Sequence, residues 1–154
     1  MEKIVTRFGE VEYDPKSILH FPAGLIGFPN LRQFVVMPNK KDGPLFWIQS
    51  IDDPSFALVL TDPTNFFLDY FVAPDGVERQ HLHIGEEDAC FVLTVVTVPP
   101  NQEISLNLAA PILFSPKSNR AMQVILEDAK YNSKTPLPQP KIADKVVDKV
   151  ANGG

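Results

Sequence analysis

The chain has 154 residues, of which 44% are hydrophobic, and its 14 Lys and Arg against 19 Asp and Glu leave a formal net charge of −5. A chain of this length can form one domain with its own core, and its single cysteine, Cys90, excludes an intrachain disulfide. The acidic balance argues against direct nucleic-acid binding, which needs Lys and Arg to replace counterions, and no apolar run reaches the roughly 18 residues of a membrane-spanning helix.

The N-terminal residues predict a β-hairpin in which KIVTRF and EVEYD flank Gly9. Ile4 and Val11 are the candidate core positions of this hairpin. Charged residues interrupt the segment, so it contains no apolar stretch of signal-peptide length. We therefore expect a cytoplasmic location.

The segment PAGLIGFPN, residues 22–30, combines two glycines and two prolines with apolar side chains. Glycine supplies the positive φ angles that tight turns need. The segment therefore predicts an ordered loop that packs on the core. SILHF before it and LRQFVVM after it predict short strands.

Two further strands, LFWIQSI and FALVLTDP, both end where acidic residues meet a proline. Proline cannot donate to a strand ladder, and an aspartate before it bonds nearby backbone amides in turns. Asp52, Asp53 and Asp62 are therefore interpreted as turn formers and not as catalytic residues.

The segment NFFLDYFV, residues 65–72, is rich in aromatic side chains whose spacing fits either a strand or a helical turn. Residues 73–89 are the least strand-like internal part of the chain and predict a short helix or a long loop. Between Asp69 and Asp88 the chain carries six acidic residues against one arginine.

The run CFVLTVVTV, residues 90–98, is almost entirely apolar and predicts a central strand covered on both faces, with Cys90 as a small buried hydrophobe. ISLNLAAPILF, residues 104–114, alternates in the manner of one long strand. Pro111 within it indicates an edge position or a bulge. MQVIL, residues 122–126, predicts the last strand.

Short strands with turns at intervals of roughly 8–12 residues predict an all-β barrel or sandwich. We favour a small, partly open β-barrel-like fold of short antiparallel strands with one or two short helices, built from residues 1–137. Residues 138–154 are interpreted as a Pro-rich linker followed by a short helix or a disordered tail. Ile142, Val146 and Val150 have helical spacing in this tail.

The residue patterns that catalysis and metal binding need are sparse. His81 and His83 in HLHIGEE form a weak metal-binding pattern, for which exposed histidines are the simpler interpretation. No G-x-S-x-G turn is present, and AGLIGF lacks the lysine of a phosphate-binding loop. We therefore expect no enzyme activity and no cofactor. A barrel that holds a small apolar ligand among its phenylalanines is the alternative function.

Four motifs in combination resemble the FliW family of flagellar assembly factors over residues 3–137. They are PxGLxGF (Pro22–Phe28), QSxDDPxxAxxxxDP (Gln49–Pro63), NLxAPI (Asn107–Ile112) and QVILxDxxY (Gln123–Tyr131). The resemblance implies a non-catalytic protein that binds CsrA, a dimeric RNA-binding repressor of translation, and relieves its repression of flagellin mRNA. It also implies flagellin as a partner that competes with CsrA. We expect a monomer.

The partner surface is predicted from residue type, because interfaces combine aromatic anchors with a polar rim. The predicted partner-binding residues are Trp47, Gln49, Asp69, Tyr70, Phe71, Asn107 and Pro111. Core packing is the alternative for Trp47 and Phe71, and a structural hydrogen bond is the alternative for Asn107. We also expect the acids of residues 69–88 to steer CsrA and to repel RNA.

Overall fold

The computed structural model describes residues 1–6, 9–37, 43–100, 103–128 and 130–138. Its first element is the predicted hairpin, β1 (Glu2–Thr6) and β2 (Gly9–Tyr13), which forms a separate antiparallel sheet. Ile4 and Val11 face each other across it but are only half-buried. The hairpin prediction is confirmed, whereas the core assignment of these two residues is wrong, because the hairpin pairs with itself and not with the main sheet.

Nine strands form the main sheet, and a ring of seven of them closes into a barrel. β7 pairs with β9 in addition to β6 and β8, which closes the ring, while β8 and β11 extend beside β7. Neighbouring strands are antiparallel except β3 and β10. The all-β, barrel-like fold class is therefore confirmed. The nine strands are β3 (Leu19–His20), β4 (Gln33–Met37), β5 (Leu45–Ser50), β6 (Ala57–Thr61), β7 (Phe91–Thr97), β8 (Ser105–Leu106), β9 (Ile112–Ser115), β10 (Arg120–Gln123) and β11 (Thr135–Pro136).

A short helix, α1 (Gly76–His81), forms within the segment predicted as helix or loop. The Asp75 side chain accepts from the Glu78 amide while the Glu78 side chain accepts from the Asp75 amide, a capping box that starts the helix. Two 3₁₀ turns, Pro15–Ser17 and Pro63–Asn65, complete the helical content of the described residues. No helix in this part of the chain has the length and hydropathy needed to cross a bilayer.

The closed sheet is apolar on both faces, so the chain has two hydrophobic clusters. The barrel core lies inside the ring, and its buried members are Leu19, Phe21, Leu25, Leu31, Phe34, Ile48, Leu60, Ile112 and Ala121. The outer cluster covers the other face, and its buried members are Leu45, Val59, Tyr70, Val96, Ile104, Leu106 and Leu108. Side chains alternate across a strand, so β5 and β6 supply residues to both clusters.

The predicted long strand 104–114 is wrong, because it divides into β8 and β9. The Asn107 side-chain oxygen accepts from the Ala110 amide at 3.1 Å, which folds residues 107–110 into a turn. Pro111, which has no amide hydrogen, follows directly. The edge position or bulge predicted at Pro111 is wrong, because Pro111 lies between this turn and the first residue of β9, a strand that pairs on both sides.

Residues 65–72, for which a strand and a helical turn were both left open, start within the 3₁₀ turn Pro63–Asn65 and continue as turns and irregular backbone without a strand. The covered strand predicted for residues 90–98 needs correction. β7 is central, but neither it nor Cys90 is fully covered, since Cys90 is half-buried and Phe91 is exposed. At the end of the predicted body, β11 pairs with β8, and Leu137 packs on the outer cluster. The predicted tail helix around Ile142–Val150 lies outside the described residues.

The acidic-Pro stops are confirmed as turn formers. Asp53 accepts from the Ser55 amide at 3.0 Å and its hydroxyl at 2.7 Å, which together hold the pKa of that carboxyl below its usual value. The Asp62 carboxylate accepts from the Thr64 amide at 2.9 Å and from its hydroxyl at 2.6 Å. Asp52 reaches further, because it accepts from the amides of Arg32 and Gln33 and ties the end of loop 22–30 to β5.

Candidate functional site

Residues 107–111, which we call the hub turn, are hydrogen-bonded to four separate segments, one of which is β7, since the Asn107 amide donates to the Val95 carbonyl at 3.0 Å. The Tyr70 hydroxyl donates to the Leu108 carbonyl at 2.8 Å, and the Leu108 amide donates to the Asn132 carbonyl at 3.2 Å. The Gln123 side chain donates to the Ala110 carbonyl at 3.0 Å. The hub turn therefore holds distant parts of the chain in one arrangement.

Gln123 extends this network to the glycine-rich loop 22–30. Its side-chain oxygen accepts from the Ile26 amide at 3.0 Å, across 97 positions of sequence. The same loop reaches the QSxDDP motif, because the rings of Phe28 and Phe56 lie 5.1 Å apart. All four sequence motifs thus meet around loop 22–30 and the hub turn.

Tyr70 anchors an exposed apolar loop beside the hub turn. Its ring is 5% exposed and packs edge-on against Tyr131 at 4.8 Å. The neighbouring Leu68 and Phe71 are 91% and 77% exposed, with Asp69 exposed between them. A rigidly held loop that displays two large apolar side chains is typical of a protein-binding surface.

Exposed apolar side chains also lie on loop 22–30, which Gln123 joins to the hub turn, and on residues 123–126, which bond to the hub turn directly. Ile26 and Phe28 are exposed on loop 22–30, and Ile125 is exposed next to Val124, whose amide donates to the Pro111 carbonyl. We call this set, with the loop around Tyr70, the docking surface. Its members are Ile26, Phe28, Leu68, Asp69, Phe71 and Ile125.

The residues predicted to bind partners fall into three groups. Asp69 and Phe71 are exposed on the docking surface. Tyr70 and Pro111 are buried and Asn107 is half-buried, so these three hold the surface from below. Trp47 and Gln49 lie elsewhere, on β5.

On β5, Trp47 is half-buried and packs against the outer cluster. This agrees with core packing, the alternative to partner binding that the sequence analysis gives for it. Gln49 is fully buried, and its amide donates to the carbonyls of Ser50, Pro54 and Phe56. The two do share a strand face, as predicted, but the turn after β5 folds back over Gln49. The sequence-based prediction of partner-binding residues did not include four members of the docking surface, namely Ile26, Phe28, Leu68 and Ile125. One signal in the sequence points to them, since each is a large apolar residue in a segment with turn-forming neighbours.

The acidic stretch divides into structural and free carboxylates. Asp75 and Glu78 cap α1. Asp88 accepts from the Gly85 amide at 2.7 Å and pairs with Lys117 at 3.2 Å, and these contacts hold the pKa of its carboxyl below the usual value. The other three acids of the stretch, Asp69, Glu86 and Glu87, are exposed, and we call them the free acids.

The residues considered for other chemistry are not arranged as a site. His81 ends α1, His83 follows in a left-handed conformation (φ 58°), and both are exposed. Within the described ranges, no three His, Cys, Asp or Glu side chains are grouped to bind a metal. Partial burial raises the pKa of the Cys90 thiol, which keeps it protonated and weakly nucleophilic.

Proteins of one family resemble this chain over most of its length. The sequence profile described as FliW protein matches residues 3–137. A flagellar assembly factor FliW of Syntrophotalea carbinolica is 62% identical over 135 residues, which is 88% of this chain and 96% of that one. Flagellar assembly factor FliW 2 of Desulfotalea psychrophila is 60% identical over 141 residues, 92% and 93% of the two chains. A crystal structure of the flagellar assembly factor FliW matches with a TM-score of 0.80 at 30% identity, over 91% of this chain and 99% of that one.

Proposed function

The chain belongs to the FliW family, and we propose that it is a cytoplasmic flagellar assembly factor that acts by binding proteins and not by catalysis. Its proposed partners are CsrA, whose repression of flagellin mRNA it relieves, and flagellin, which competes with CsrA for it. The observation that carries this proposal is the docking surface. In it, the buried Tyr70 anchors a loop on which Leu68 and Phe71 are exposed to solvent. Such a surface suits a partner better than a substrate.

The charge of the body supports a basic partner. Residues 1–138 hold 17 Asp and Glu against 11 Lys and Arg, and a protein that grips RNA phosphates must itself be basic there. Opposite charge speeds encounter, and an acidic protein docked beside an RNA site repels RNA. The free acids Asp69, Glu86 and Glu87 are proposed to supply part of this field.

Replacing Phe71 by alanine is expected to weaken binding to CsrA or to flagellin by about 30-fold, because a central aromatic anchor typically contributes about 2 kcal/mol. The measurement is isothermal titration calorimetry with each purified partner, alone and in competition. Val77→Ala is the matched control, since Val77 is also exposed but lies on α1. If Phe71→Ala keeps its fold by circular dichroism and binds both partners with unchanged affinity, the docking surface is not where they bind.

Reversing the charge of the free acids tests the proposed electrostatic attraction of CsrA separately from the apolar contacts. The triple variant Asp69→Lys, Glu86→Lys and Glu87→Lys is expected to associate with CsrA about tenfold more slowly at low salt, with the difference shrinking as salt screens the charges. The control makes the same change in net charge on the hairpin, at Glu2, Glu10 and Glu12, which are exposed. Stopped-flow association rates are the readout. Equal rates for the two triple variants would show that only net charge matters.

A further inference from the structure

The barrel core contains a cavity of about 220 Å³ whose lining surface is entirely apolar. The cavity is bounded by strands from around the ring, β3 to β7 and β9, and not by a single loop. Its lining residues are Leu19, Val36, Phe46, Ile48, Leu60, Phe91, Leu93, Ile112 and Phe114.

The cavity reaches solvent at one side of the barrel. Loop 22–30 and its neighbours fill another part of the core, where the rings of Phe21 and Phe34 pack edge-on at 5.2 Å. Among the lining residues, Val36 is 56% exposed and Phe91 is 53% exposed, so each contacts both the cavity and the surface. A small molecule therefore has a route inward that does not require the barrel to unfold.

We propose that this cavity is a binding site for small uncharged apolar molecules of about the size of one aromatic ring. An enclosed apolar cavity of about 150 Å³ in another protein binds benzene or xenon, and the present cavity, although open at one side, likewise offers water no hydrogen-bond partner from its lining. A charged or hydrogen-bonding group would lose its solvation without compensation. Pockets for larger ligands usually measure about 300–1,000 Å³, so this volume selects a single ring or a short alkyl chain.

The aromatic side chains at the barrel seam suit such a ligand. Phe91 and Phe114 are cross-strand partners where β7 meets β9, and their rings stack at 6.4 Å with an interplanar angle of 26°. Phe46 lines the cavity from β5. None of the lining residues belongs to the docking surface. A test of this site is therefore independent of whether the proposed partners bind.

The test is a titration of the full chain with toluene, followed by methyl chemical shifts in ¹H–¹³C spectra. We expect saturable shifts at the methyl groups of Leu19, Ile48, Leu60 and Leu93, together with a rise in melting temperature as toluene increases. The exposed methyl groups of Leu68 are not expected to shift in this way. Shifts that do not saturate, or that are equal at Leu68 and at the cavity methyls, would overturn the proposal.

Two substitutions at one lining position give opposite expectations. Leu93→Phe fills space in the cavity and is expected to weaken toluene binding at least tenfold, whereas Val77→Phe on α1 leaves it unchanged. Leu93→Ala enlarges the cavity and is expected to bind naphthalene at least tenfold more tightly than the parent chain does. If Leu93→Phe does not fold, Leu93→Ala still decides the matter, because a parent-like naphthalene affinity contradicts a ligand seated beside Leu93.

Discussion

Replacing Gly24 by alanine is expected to lower the free energy of unfolding by about 3 kcal/mol, because the change combines backbone strain with a steric clash. Gly24 has a φ of +70°, and a Cβ atom there would lie 2.6 Å from the Pro29 carbonyl oxygen and 2.7 Å from that of Phe28. Both obstacles are backbone atoms of loop 22–30, so no side chain can rotate away to relieve the clash.

Gly27 provides the matched control for this prediction. Its φ is +84°, but a Cβ atom there has no neighbour within 4 Å. Gly27→Ala therefore carries only the left-handed strain, about 1–2 kcal/mol. Urea unfolding of the two variants measures the difference, and equal losses would mean that the loop relaxes around Gly24 at no cost.

Removing the Tyr70 side chain is expected to have the largest effect outside the barrel core. Tyr70→Ala should cost about 3–5 kcal/mol of unfolding free energy, since it leaves a cavity in the outer cluster against Tyr131. Tyr70→Phe keeps the ring but leaves the Leu108 carbonyl without its hydrogen bond, which should cost about 1–3 kcal/mol. As a control, Tyr13→Phe at a half-buried position of the hairpin should change the free energy of unfolding by no more than about 0.5 kcal/mol.

The pH dependence gives the Tyr70 prediction a second readout. Burial, and to a smaller extent the neighbouring Tyr131, raises the pKa of Tyr70 above its ordinary value of 10.0. A group with a raised folded-state pKa contributes stability that is complete below its unfolded pKa and is lost as pH rises beyond it. The parent chain should therefore lose stability above pH 10 more steeply than Tyr70→Phe, and parallel profiles for the two chains would contradict this role.

If the docking surface binds partners as proposed, the hub turn couples stability to that function. The polar side-chain groups of Asn107, Tyr70 and Gln123 form hydrogen bonds within the chain. Phe71 and Ile26, by contrast, are exposed to solvent. A surface ordered before binding loses less conformational entropy when a partner arrives. We therefore expect Tyr70→Phe to weaken partner binding although Tyr70 itself is buried.

Local chemistry along the chain was sufficient to predict some of the elements. The hairpin around Gly9 and the turn at Asp62-Pro63 each depend on residues within a few positions of one another. The same local reasoning left residues 73–89 open between a helix and a loop, and it missed the division of residues 104–114 into β8 and β9. The family was indicated by the four motifs in combination.

Tertiary structure alone decided which faces are covered and which segments meet. Alternation placed Gln49 and Trp47 on one side of β5, but only the folded chain shows that the following turn buries Gln49. The contact of Gln123 with Ile26 spans 97 positions, and the ring of strands around the cavity includes the pairing of β3 with β10, in which His20 lies opposite Arg120. The period of a strand determines which side chains share a face, whereas exposure depends on what packs against that face, and this is set by pairings that no local pattern encodes.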